Sequence, residues 1–106
     1  MIESWKTHLQ AHAAVIENGM VMHYGDPARE REAAAAGTVF ADLSQLGVIA
    51  FSGEDTSTFL QGQLTNDVRE LHQDSAQWSG YCSPKGRLLS NFLVWRAGGD
   101  TCLQMS

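Results

Sequence analysis

The stretch from Gln77 to Met105 limits the fold more than any other part of the chain. It holds three runs of strand length, Gln77–Cys82, Leu88–Arg96 and Thr101–Met105. The gaps between them are short and made of turn residues, Ser83-Pro84-Lys85-Gly86 and then Ala97-Gly98-Gly99-Asp100. Proline sets φ for a turn and glycine supplies positive φ, so each gap reverses the chain and makes its flanking strands antiparallel neighbours. The end of the chain therefore reads as a three-stranded meander.

The sequence before it reads differently. Glu3 to about Val15 has helical spacing, with Trp5, Leu9, His12 and Ala13 on one face and Ser4 as a cap, and Asn18-Gly19 breaks it. Met20–Tyr24 is a short strand. Asp26 and Pro27 fit the N-cap and first position of a second helix through Ala28–Ala36, which Gly37 stops. Glu30 and Glu32 on that helix read as solvent-facing. Val39–Leu43 is a strand or extended link, and Leu46–Phe51 a better strand. Ser52, as N-cap, opens a third helix over Thr56–Gln61 with Phe59 and Leu60 facing inward. Helices early and a meander late make the fold class α+β, with short helices packed on a mainly antiparallel sheet.

With 106 residues, 43% of them hydrophobic, the chain can fold as one domain with a modest core. A net charge of −5 argues against a broad nucleic-acid surface, which needs clustered Lys and Arg. No apolar run is long enough to span a membrane, and the first residues do not resemble a signal peptide. Cys82 and Cys102 lie in different strands without CxxC spacing, which suits reduced thiols and a cytoplasmic protein. The last run stops inside a strand pattern. Thr101–Met105 is therefore expected to be an exposed edge or to self-associate with a second copy, and the chain to be the N-terminal part of a longer protein.

Several residue types suggest chemistry. His8 and His12 share a helix face but lack the HExxH pattern, so a surface pair without metal is the expectation. Cys82 reads as a strand cysteine, no phosphate loop is present, and no catalytic residue stands out. Trp78, Tyr81 and Trp95 have the spacing of sheet faces. Lys85 and Arg87 flank the hairpin tip and are candidate contacts for an anion, or solvated charges. The phrase Phe59 to Val68 sets amides and a carboxylate beside an apolar strip. Asn66 and Asp67, at a helix end, are expected to spend their side chains on backbone groups.

Four phrases occur in order: Ala41-Asp42-Leu43-Ser44, Phe51-Ser52-Gly53-Glu54-Asp55, Phe59-Leu60-Gln61-Gly62-Gln63-Leu64-Thr65-Asn66-Asp67-Val68, and Pro84-Lys85-Gly86-Arg87. Together they resemble the N-terminal part of the folate-binding superfamily of the glycine-cleavage T-protein, the aminomethyltransferases. Within it they look closest to the YgfZ-type branch, whose members assist iron–sulfur enzymes and are linked to tRNA modification. The resemblance covers about residues 20 to 106.

It implies a partial folate-binding domain, with tetrahydrofolate as cofactor and iron–sulfur enzymes as partners. Leu46, Asn66, Asp67, Trp78 and Asn91 would form one wall of the folate cavity, and Trp78 falls where T-proteins carry a folate-contacting tyrosine. The chain departs from the enzymes at Ser90 and Asn91, where they carry an acidic pair. Neither residue can balance a developing cation. The resemblance thus favours a folate-binding accessory protein of the YgfZ type. An aminomethyltransferase is the alternative, and a structural piece without a ligand site of its own the second.

Overall fold

In the computed structural model, which describes all 106 residues, the backbone divides at Gln45 into two units, Met1–Gln45 and Leu46–Ser106. The chain contains three α-helices and two antiparallel sheets, an α+β arrangement.

The first unit is built from α1 (Glu3–Ala11), β1 (Val15–Glu17), β2 (Met20–His23) and α2 (Pro27–Ala36). Ser4 does not cap α1. The helix starts before it, with Ile2 at the N-cap and no side-chain cap, so Ser4 sits within the first turn. The helix also ends short of Val15. Ala13 takes a left-handed φ of 68°, and Val15–Glu17 pairs with Met20–His23 instead. Asn18 and Gly19 have φ of 50° and 77°, the two positive values a tight hairpin turn requires, so the dipeptide joins two strands. In α2, Asp26 Oδ1 accepts the Arg29 N–H at 3.2 Å and Pro27 occupies the first turn. Glu30 is not a solvent charge: its Oε1 accepts the Tyr24 N–H at 2.6 Å, tying α2 to the end of β2. Val39–Leu43 is extended without strand pairing.

The second unit is a four-stranded antiparallel sheet with α3 (Thr56–Gln63) and a single 3₁₀ turn (Val68–Glu70) on one face. Its strands are β3 (Gly47–Phe51), β4 (Ala76–Cys82), β5 (Leu88–Ala97) and β6 (Asp100–Met105), in the order β3-β6-β5-β4. The meander β4-β5-β6 forms as its turns dictate. The expected C-terminal edge strand does not. β6 is interior, with Leu103 paired to Val94 on one side and to Ile49 on the other. Self-association through Thr101–Met105 is therefore corrected: its backbone groups are already used by β3 and β5.

Ser52 does not cap α3. Gly53, at φ 109°, turns the chain after it, and Asp55 takes the N-cap position without a side-chain bond. Of the two residues expected inside, Leu60 is buried at 2% exposure, while Phe59 remains 54% exposed. The core gathers Leu60, Val68, Leu71, Phe92, Val94 and Leu103, with Phe51, Leu64 and Met105 packed against it. Burying each such side chain contributes about 1.5–3 kcal/mol. Arg96 closes one end. Its guanidinium donates to the carbonyls of Leu71 and Val68, at 2.9 and 3.1 Å, and to Thr101 Oγ1 at 3.1 Å, so the 3₁₀ turn is held to the sheet by one side chain.

Strand alternation assigns the two faces. Phe92 and Val94 point to the core, so Asn91, Leu93 and Trp95 point to the other face. Cross-strand pairing extends that second face through Trp78 opposite Leu93, Gly80 opposite Asn91, and Val48 opposite Gln104.

Candidate functional site

The polar loop after α3 is stitched along the outer side of β4. Leu64 bridges to Tyr81. The Thr65 N–H donates to the Gly80 carbonyl and the Gly80 N–H donates to Thr65 Oγ1, each at 2.9 Å. The Asn66 N–H donates to Ser79 Oγ at 3.1 Å, and its Nδ2 donates to the Trp78 carbonyl at 3.0 Å. Five consecutive contacts let the loop serve as a partial fifth strand that covers β4.

Gly80 leaves room for the Leu88 side chain beside this seam. A Cβ there would lie 2.7 Å from Leu88 Cδ1 and 3.4 Å from Thr65 Oγ1. Above the seam lies a cleft of about 310 Å³, lined by Thr65, Trp78, Ser79, Gly80, Leu88 and Asn91. Trp78 is 69% exposed and presents a broad aromatic face. Leu88 adds an exposed apolar wall, and the Asn91 carboxamide is exposed at the rim. The lining carries no ionisable group. Its volume lies near the lower end for small-molecule sites, and an aromatic plane beside a carboxamide suits a planar heterocycle with a hydrogen-bonding edge.

The five residues expected on a folate wall divide as follows. Trp78 and Asn91 come together in the cleft. Asn66 does not line it; its Nδ2 donates to the Trp78 carbonyl and its Oδ1 accepts the Asp67 N–H at 2.9 Å, so its side chain shapes the seam. Asp67 turns away. Its Oδ1 accepts the Arg69 backbone N–H at 2.9 Å, and its carboxylate pairs with the Arg69 guanidinium at 3.0 Å. Those bonds to Arg69 hold the carboxyl below the usual range. Leu46, half-buried just before β3, stands at the far side of the sheet from β4, about 14 Å across three strand spacings. Lys85 and Arg87 are exposed at the hairpin tip, where Gly86 at φ 80° makes the turn, and neither lines the cleft.

The cleft residues missed in the sequence are Thr65, Ser79, Gly80 and Leu88. Gly80 carried a readable signal, since a glycine inside a strand often marks a close approach of another backbone.

Two other clefts are present. A groove of about 330 Å³ opens between α3 and the core face beside Phe59, Ile49 and Met105; it is mainly apolar, with Gln63, Tyr81 and Ser90 as its polar side chains, so Ser90 lines this groove while Asn91 lines the cleft on the other face. The other, about 450 Å³, lies in the first unit between β2, α2 and residues 38–42. Several of its polar groups are engaged: Glu30 by the Tyr24 N–H, His23 Nδ1 by the Gly25 N–H, and Asp42 by Trp5 and Ser44; the Tyr24 and Thr38 side chains also line it.

No protein-family model matches the chain. It is 43% identical over 63 residues to the tRNA-modifying protein YgfZ of Vibrio vulnificus, a match that covers 58% of this chain and 19% of that protein. It is 30% identical over 95 residues to an aminomethyltransferase of Desulfitobacterium hafniense, covering 87% of this chain and 26% of the enzyme. An aminomethyltransferase of Bacillus subtilis is 34% identical over 75 residues, covering 71% and 21%. The matched segment belongs to the YgfZ/T-protein superfamily. The chain spans only 17–26% of the length of the curated relatives it matches. No helix is long and apolar enough to cross a membrane.

Proposed function

We propose that the chain supplies one wall of a tetrahydrofolate site in an accessory protein of the YgfZ type. Such a protein would bind folate without transferring aminomethyl groups, and would support iron–sulfur enzymes or tRNA modification in the cytoplasm. The observation that carries the reading is the pairing of Trp78 and Asn91 in one cleft above the loop seam. An indole face can stack on a pterin ring, and a carboxamide can both donate to and accept from its edge. The same carboxamide stands where the resemblance places a carboxylate in the enzymes. An amide cannot take a proton or balance a cation there, which favours binding over one-carbon transfer. Leu46 and the second sheet face would extend the wall, and Lys85 or Arg87 would meet the anionic tail of the ligand.

The high exposure of Trp78 favours a further point, that this wall by itself holds folate weakly. The test is a tetrahydrofolate titration of the chain at up to millimolar ligand, read by chemical shifts. Shifts confined to Trp78, Asn91 and Gly80, and lost in Trp78→Ala, support the reading. Shifts absent from these residues, or unaffected by Trp78→Ala, overturn it. An Asn91-dependent production of methylenetetrahydrofolate from an aminomethylated carrier protein would instead establish the aminomethyltransferase alternative.

A further inference from the structure

In the first unit, α1 and its C-cap carry a ladder of rings. The Trp5 indole Nε1–H donates to Asp42 Oδ1 at 2.8 Å, which fixes the indole. His8 stacks on it, with centroids 5.3 Å apart and planes 17° from parallel. His12 follows one turn later, its centroid 4.6 Å from that of His8 and its plane tilted by 46°. His12 Nδ1 lies 2.9 Å from the His8 carbonyl oxygen. A carbonyl only accepts, so that contact places the proton of a neutral His12 on Nδ1 and leaves the Nε2 lone pair free. Both histidines are exposed.

The spacing alone described a surface pair. The structure adds a defined tautomer at one ring and a stacked, anchored orientation at the other. Two imidazoles bound at adjacent corners of one ion, each at about 2.1 Å, hold their centroids roughly 4.5 Å apart, close to the separation seen here. No group of three or more His, Cys, Asp or Glu side chains gathers anywhere in the chain, so water would complete the shell. That favours an ion with strong affinity for imidazole over one needing a full protein cage.

We propose that His8 and His12 form a two-imidazole chelate for a divalent transition-metal ion, with copper(II) bound more tightly than nickel(II) or zinc(II). The Asp42–Trp5–His8 contacts act as positioning groups that hold one ring ready.

The test is calorimetric titration of the whole chain with each metal chloride, with electron paramagnetic resonance of the copper form. One ion per chain, copper tightest, and two nitrogens in the copper plane are expected. His8→Gln or His12→Gln should lower copper affinity by roughly 100-fold, because the second imidazole then no longer binds intramolecularly. The circular dichroism of each variant should match wild type, since both positions are exposed. Trp5→Leu should weaken binding less, without changing the nitrogen count. Equal copper affinity in wild type and in the His8→Gln/His12→Gln double variant would place the ion elsewhere and overturn the proposal, as would a single-nitrogen signal in wild type.

Discussion

Replacing Gly80 by alanine tests the seam that builds the cleft. The new Cβ would stand 2.7 Å from Leu88 Cδ1, about 1 Å inside ordinary carbon–carbon contact. Leu88 is exposed and must turn aside. Thr65 is less free: its Oγ1, at 3.4 Å, accepts the Gly80 N–H, and its own N–H is bound to the Gly80 carbonyl. Overpacking of this kind costs about 1–3 kcal/mol. Loss of glycine's unfolded-state freedom returns about 0.4–1 kcal/mol, since Gly80 does not need positive φ. The net is about 1 kcal/mol, which for a unit of this size lowers the melting temperature by about 4–8 °C. Thermal unfolding followed by circular dichroism measures it. Adding Leu88→Ala should recover most of the loss, because the contact shorter than van der Waals range is with Leu88 Cδ1, visible as non-additivity in a double-mutant cycle. A Gly80→Ala protein that melts with wild type, and keeps the slow exchange of the Thr65 and Gly80 amides, would refute the reasoning.

Arg96→Met should destabilise the second unit by about 2 kcal/mol, because the carbonyls of Val68 and Leu71 lose a charged donor; the urea midpoint reads it. Asp67→Ala should lower the melting temperature while leaving ligand-induced shifts at Trp78 in place, because its carboxylate serves Arg69 and not the cleft. The Asp42 carboxyl is held below its ordinary value of 3.8, first by the Trp5 indole bond. A depressed folded value adds stability that is fully present above 3.8 and lost as pH falls through the lower folded value. The Trp5 indole proton resonance should therefore stay constant down to about pH 4 and move only below it, and an Asp42→Asn variant should lose that transition.

Local chemistry legible in the sequence settled a definite part of this protein. Pro84-Lys85-Gly86 and Gly98-Gly99 close hairpins because their φ preferences leave the chain few other paths, so β4, β5 and β6 could be read directly. Asp26 and Pro27 start α2 for the same reason, that the cap and the fixed φ act within a single turn. The family phrases were also legible.

What remained was decided by pairing partners and turn geometry that residue patterns alone do not show. Val15–Glu17 is a strand only because Met20–His23 lies beside it, whereas its own residues also continue a helical pattern. Ser52 fails as a cap because the turn at Gly53 carries it outside the helix. β6 became interior when Gly47–Phe51, about fifty residues earlier, paired along its free side; strand patterning shows which residues alternate, but not which neighbour arrives. The cleft itself belongs to this class. Thr65 meets Gly80 through two hydrogen bonds across fifteen positions, and the recess under Trp78 exists only where that loop and that strand have closed on each other.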